Sequence, residues 1–119
     1  MKQIRWNDVA VEQLTKLATR QVLHTERMTL VRLVLRRGAI VALHSHENEQ
    51  ISTVVKGALR FELGDGTGEN TVITLLAGES LAIPPHVPHA VTAEEDTEVT
   101  DVFSPRREDW IRGDDAYLR

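Results

Sequence analysis

Cysteine is absent from the 119 residues. That removes disulfides, thiolate zinc sites and cysteine nucleophiles together. A disulfide-stapled secreted domain is excluded, and a reducing cytoplasm is the expected compartment. Long apolar runs are missing too. Stretches such as residues 81–83 fall far short of the roughly 20 residues that a spanning helix needs, so no membrane partner is expected. Residues 1–6 carry Lys2 and Arg5 with no apolar stretch behind them, which argues against a signal peptide. An excess of positive charge is also lacking, since 14 basic residues face 18 acidic ones for a net charge of -4. Such a surface repels a phosphate backbone, and no nucleic acid partner is expected.

What is present suits a folded protein. Hydrophobic residues make up 41% of the chain and charged residues 27%, a balance that disordered chains do not reach. The length is enough for one domain and too little for two, and folding at this size buries roughly two-thirds of the unfolded surface.

From Met28 onward the pattern is that of strands. Residues 28–35 are rich in Leu and Val with Thr29 and Arg32 as interruptions, which suggests a strand covered on most of both faces. Residues 40–46 resume an extended pattern, and residues 51–56 hold the β-branched cluster Thr53-Val54-Val55. Residues 58–63 alternate, with Leu59, Phe61 and Leu63 against Arg60 and Glu62. Gly64-Asp65-Gly66-Thr67-Gly68 is a hairpin-loop signal. It is no phosphate cradle, because it lacks a Lys-Ser/Thr ending and leads into the strand pattern of residues 72–76. Further strands are expected at 80–83, 90–93 and 98–103. Short strands at this spacing predict a sandwich or barrel. Residues 7–19 fit either an amphipathic helix or an irregular strand. Residues 104–113 predict a short helix with Ser104 as cap, Pro105 in the first position and Gly113 as terminator.

The segment His44-Ser45-His46-Glu47-Asn48-Glu49-Gln50 carries the chemistry. Residues two apart on an extended chain share a face, so His44 and His46 can present imidazoles to one metal ion. Gln50 can add an amide oxygen. Pro84-Pro85-His86-Val87-Pro88-His89 offers two further candidates, His89 at the start of an apolar strand and His86 between prolines. A His-x-His pair alone is more often polar surface, but four of the five histidines lie in these two clusters. Glu47, Glu49 and the run Glu94-Glu95-Asp96 read as solvated.

Gly38-x5-His44-x-His46-x3-Gln50-x6-Gly57 resembles the first cupin motif, with Gln50 in place of its usual glutamate. Gly78-x5-Pro84-x-His86-x2-His89-x3-Ala93 resembles the second, with His86 for its glycine and Ala93 for its asparagine. The resemblance implies an all-β double-stranded β-helix, or jelly-roll barrel, with a short C-terminal helix. Residues 1–119 then form one cupin domain, with the barrel over roughly 28–103, an N-terminal segment at 1–27 and a helix and tail at 104–119. It also implies one divalent metal ion, of nickel, zinc, iron or manganese, held by His44, His46, Gln50 and His89. Histidine tolerates the left-handed turn that glycine usually supplies, so His86 is compatible with the loop. Three imidazoles and an amide leave the ion's charge uncompensated, which suits a Lewis acid and an anionic substrate.

The stretch Asp101-Val102-Phe103-Ser104-Pro105-Arg106-Arg107-Glu108-Asp109-Trp110, with Glu49-Gln50, is similar to the KdgF-like pectin-degradation cupins. Those proteins convert cyclic 4,5-unsaturated uronates from pectin or alginate to linear keto acids. The similarity implies catalytic roles for Asp101, Phe103 and Arg107. From the residues alone, Asp101 shares a strand face with Val99 and Phe103, and a carboxylate in an apolar row needs a reason. Either the face is exposed, or Asp101 pairs with an arginine, or it acts as a general acid/base. Arg107 is a candidate for gripping a carboxylate, with Arg106 as its rival. The function expected is a cytoplasmic, homodimeric metal enzyme acting on a small anionic sugar acid. The alternatives are a cupin dioxygenase and a non-catalytic metal cupin that binds a small organic acid.

Overall fold

The computed structural model describes residues 1–65 and 67–119. A 3-10 turn at Trp6–Asp8 precedes β1 (Glu12–Thr15), β2 (Ala18–His24), β3 (Thr29–Leu35) and β4 (Ile40–His44). Then come β5 (Glu49–Lys56), β6 (Ala58–Leu63), β7 (Thr71–Leu76) and β8 (Ser80–Ile83). The chain continues through β9 (His89–Ala93), β10 (Thr97–Ser104), a helix α1 (Glu108–Ile111) and a 3-10 turn at Ala116–Leu118. Six strands form one sheet in the order β1-β2-β3-β10-β5-β8, and four form a second in the order β4-β9-β6-β7. All pairings are antiparallel. This is the expected all-β jelly roll, with the core between two sheets.

Inward residues follow the period of two. β10 buries Thr97, Val99, Asp101 and Phe103 and turns Glu98 and Val102 outward. Its neighbour β5 buries Gln50, Ser52 and Val54. The register sets Val99 opposite Val54, Asp101 opposite Ser52, and Phe103 opposite Gln50. One end of the inner face is therefore apolar, with Leu35, Leu59 and Phe61 in the same core cluster, and the other end places Gln50, Ser52 and Asp101 beside Val31 and Phe103. β3 differs from expectation. Val31 and Leu35 are buried but Val34 is half exposed, because it points to the outer face, where the N-terminal segment lies over Gln21 and Arg32.

The crossing from β5 to β6 requires Gly57. Its φ is +96°, and a Cβ there would meet the Asp96 carbonyl oxygen at 2.4 Å. The hairpin expected after Leu63 is present, since β6 and β7 pair with Leu63 opposite Thr71. Within its loop, Gly66 lies outside the described residues.

Both ends of the chain depart from the sequence expectation. Residues 7–19 make no α-helix beyond the end of the 3-10 turn at Trp6–Asp8. β1 and β2 form a hairpin around Lys16 and Leu17, tightened by the Leu17 N–H bonding to Thr15 Oγ1 at 3.1 Å. Leu14 and Ala18 fall on its inner face and are buried, so the period of two wins over the helical reading. Both strands extend the six-stranded sheet. At the other end the helix is only α1, Ser104 is the last residue of β10, and the N-cap position belongs to Arg107. Tertiary bonds hold the intervening backbone. Asn48 Nδ2 donates to the carbonyls of Pro105 and Arg106, and Thr29 Oγ1 accepts the Arg107 N–H at 2.8 Å. Gly113 ends the helix as expected, at φ +85° with its N–H on Trp110 O. Among the described residues no helix is long and apolar enough to cross a membrane.

Candidate metal centre

The two sheets deliver the histidine clusters to one place. His44 ends β4 and His89 begins β9, and the two are register partners. His46 sits on the connection into β5, and Gln50 lies on the inner row of β5. His86 takes φ +67° and donates its backbone N–H to His46 O at 2.8 Å, which fastens the two histidine loops together. Its own side chain is exposed and lies outside the cluster.

Ligand atoms of His44, His46 and His89 lie within 4.8 Å of one another, so the three can hold a metal ion. Each ring has Nδ1 against a backbone carbonyl: Ala42 O at 2.7 Å for His44, Asn48 O at 3.0 Å for His46 and Val87 O at 2.8 Å for His89. A carbonyl only accepts, so Nδ1 carries the proton in each ring and Nε2 is left as a lone-pair donor. Burial, reinforced by the neighbouring His89, lowers His44 to about 4. Burial and the Arg107 guanidinium lower His46 to about 4. Burial likewise lowers His89. All three are neutral at pH 7.

Two observations test the fit to a cation. His89 Nε2 is buried without a hydrogen-bond partner. Gln50 commits its amide nitrogen to Ser52 Oγ at 2.9 Å, so its Oε1 faces His46 Nε2 at 3.0 Å. With the ring neutral, these are two lone pairs turned toward each other, an arrangement that a positive ion stabilises. The residues fit a divalent ion, and imidazole with an amide oxygen is a borderline donor set.

A small cavity of about 40 Å³ lies beside this cluster, lined by His44, Gln50, His89, Asp101, Phe103 and Arg107 among others. His46 also borders an outer groove with Glu47 and Asn48. Asp101 is 7% exposed and its Oδ1 has no partner. Burial raises it to about 6, against the opposing pull of Ser52 and Arg107. Asp101 is therefore neither on an exposed face nor in an ion pair. The Phe103 ring stands edge-on to His46, with centroids 5.5 Å apart.

Arg107 is 1% exposed, and its guanidinium lies 4.7 Å from the Phe103 ring and 4.3 Å from the Trp110 ring, which themselves meet edge-to-face at 5.3 Å. It forks onto Asp109, with Nε–Oδ1 3.0 Å and Nη2–Oδ2 2.7 Å, and Nη2 also donates to Tyr117 Oη at 2.7 Å. Arg106 points away, to Glu108 at 2.6 Å and the Thr25 carbonyl. Glu47, Glu49 and Glu94-Glu95-Asp96 are exposed, as expected.

Sequence reasoning missed several members of this site. Ser52 was findable, since it lies two residues beyond Gln50 on the same strand face. Asn48, whose carbonyl fixes the His46 tautomer, was hidden within the motif spacing. Tyr117 carried no signal, yet its ring lies 4.8 Å from His44 and its hydroxyl accepts from both Arg107 and Trp110 Nε1.

The fold is shared with known proteins. The chain matches an RmlC-like cupin from Shewanella frigidimarina at 28% identity and a TM-score of 0.77, covering 87% of this chain and 90% of that one. It matches KdgF from Halomonas sp. at 34% identity and a TM-score of 0.74, covering 87% and 94%. A Bacillus subtilis oxalate decarboxylase variant shares the fold at 24% identity and a TM-score of 0.77, over 86% of this chain and 29% of that longer one. No curated protein matches the chain. The cupin domain model aligns with residues 31–103, a span that takes in both histidine loops and the Asp101 strand, and the chain belongs to the cupin family.

Proposed function

We propose that this cupin is a metal-dependent enzyme that converts 4,5-unsaturated uronates, such as pectin and alginate lyases release, to linear keto acids. The observation that carries the reading is Asp101. Its buried carboxyl has an unpartnered oxygen, lines the same cavity as three of the four proposed metal ligands, and is held near 6. A proton-transfer group works best with a pKa near the operating pH. The similarity of the segment from Asp101 to Trp110 to KdgF-like cupins gives the substrate class.

The conversion is an isomerisation and needs no co-reactant. The ring C1–O bond breaks, the anomeric hydroxyl loses its proton as C1=O forms, and C4 gains a proton as the C5 enol becomes a ketone. A divalent ion of nickel, zinc, iron or manganese, held by His44, His46, Gln50 and His89, would supply Lewis-acid polarisation of the sugar oxygens. Asp101 takes the hydroxyl proton and returns it at C4. Arg107, already held against the Phe103 and Trp110 rings, grips the carboxylate, and Phe103 walls the pocket.

A homodimer belongs to the same reading, supported by Val34, Ile51, Val55 and Val102, which stand exposed on the outer face of the six-stranded sheet. So does a cytoplasmic location, supported by the cysteine-free composition. The test is metal-loaded protein mixed with an unsaturated uronate, followed by ultraviolet absorbance. Decay of the conjugated enol ether is expected. Full metal occupancy with no decay refutes the reading, and oxygen consumption by the iron-loaded protein would move it to the oxygenases.

A further inference from the structure

The cavity beside the metal centre is too small for the substrate just proposed. Its volume is about 40 Å³, room for a few waters at most, whereas a cavity of about 150 Å³ is what holds benzene. A uronate has about twice benzene's number of heavy atoms. Something must move, and the C-terminal residues are what stands in the way. Trp110, Tyr117 and Leu118 line the cavity, and the chain after Gly113 joins no strand.

The contacts holding this tail are few and mostly polar. Asp115 binds Arg20 at 2.6 Å, and Arg119 reaches Asp115 at 3.3 Å and Glu12 at 3.5 Å. Leu118 is partly buried and supplies an apolar contact to the core cluster. Tyr117 lies over His44 and accepts the Arg107 Nη2–H. Arg107 thus already carries an oxygen ligand besides the Asp109 fork. A phenol oxygen 2.7 Å from a guanidinium nitrogen occupies the kind of position that a substrate carboxylate oxygen takes.

We propose that residues 113–119 are a strap that closes the site, and that the Tyr117 hydroxyl holds the place of one substrate carboxylate oxygen on Arg107. Opening at Gly113, whose φ of +85° marks the turn out of α1, removes the tyrosine from His44 and frees Nη2. The place-holding half rests on the uronate reading, whereas the strap itself does not. Affinity then scales with the fraction of molecules that are open.

Hydrogen exchange on the metal-loaded protein tests the strap without any substrate. The Leu118 and Arg119 amides, bonded to Asp115 O and Ala116 O, should exchange at least tenfold faster than β5 and β10 in the parent. Tyr117→Phe should speed them by a further factor of about three to ten while leaving the barrel strands unchanged. Tail amides that exchange only with global unfolding overturn the strap, whatever the activity. Calorimetric titration with galacturonate, a saturated uronate that cannot react, tests the place-holder. Tyr117→Phe should tighten it about three- to tenfold, because the ring remains and only the competing oxygen is lost. Weaker or unchanged binding overturns the place-holder. A tail that opens locally in a protein that binds no galacturonate keeps the strap and removes both the place-holder and the uronate reading.

Discussion

Asp101→Asn separates the stability of this site from its chemistry. The carboxyl has a pKa of about 6 in the fold against 3.8 for an unperturbed aspartate, and burial is the main cause. The sign follows from proton linkage. A carboxyl that holds its proton more tightly when folded imposes no penalty below about pH 4. The penalty grows as pH rises from 4 to 6 and is complete above that. Two units correspond to about 3 kcal/mol. Asparagine has the same shape and no charge to desolvate. The variant should therefore gain about 3 kcal/mol of stability relative to the parent between pH 4 and pH 7.5. Urea melts of chelator-treated protein at both pH values measure this difference. The histidines titrate in both proteins and cancel. A gain below about 1 kcal/mol would show that Asp101 is not desolvated as described. In the metal-loaded enzyme the same change should lower kcat by roughly 10²-fold or more, and turnover at the parent rate would remove Asp101 from the mechanism.

His46→Ala should lose most bound metal while the barrel stays folded; a full equivalent of ion by elemental analysis would exclude the assigned cluster. Ser52→Ala removes the acceptor that fixes the Gln50 amide, so metal affinity measured by chelator competition should fall 10- to 100-fold. The same change should reduce metal-free stability by about 1–3 kcal/mol from the unsatisfied amide N–H. Gln50→Glu should tighten divalent metal yet slow turnover of an anionic substrate, because the ion's effective charge falls; no change in either would place Gln50 outside the coordination sphere. Arg107→Ala should mainly raise KM for the uronate, with Arg107→Lys recovering only part and Arg106→Ala near the parent.

Much of this was legible in the sequence, for identifiable reasons. The inner rows of β5, β6 and β10 alternate strictly, and a period of two admits one inward register. His44, His46 and His89 were legible because ligands for one ion must cluster, and because Gly38, Gly57, Gly78 and Pro84 stand at the motif spacings around them. Gln50 was legible from its place after the His-x-His pair, and Asp101 as a carboxylate between Val99 and Phe103 on one strand face. The ends were harder. Residues 7–19 place Leu14 and Ala18 four apart, a spacing that suits a helix face and a hairpin's inner face alike. Only the open edge of β3, to which β2 pairs, decides between them. Residues 104–107 carry helix-start chemistry, yet Asn48 and Thr29, far away in sequence, hold the backbone. Tertiary bonds of that kind leave no local pattern. The choice between Arg106 and Arg107 is of the same type. Neighbouring residues of one type are separated by the direction each side chain takes, and that depends on Asp109, Trp110 and Tyr117 closing around one of them.

The polar end of the barrel also explains why the tail is needed. Along the inner row of β5, from Val54 through Ser52 to Gln50, side chains become more polar toward the histidines, and Asp101 of β10 stands opposite Ser52. Packing there contributes less than in the apolar half, and His89 Nε2 and Asp101 Oδ1 are left without partners. Each such atom costs about 1–3 kcal/mol. Open to water, these groups would be solvated and Asp101 would return toward an ordinary carboxylate. Trp110 and Tyr117 keep water out, and in doing so they hold Asp101 high and the imidazoles neutral, the states that proton transfer and metal ligation both need. A tail sealed permanently would serve that end and exclude substrate. One held by Tyr117 and a few ion pairs can serve it and still open.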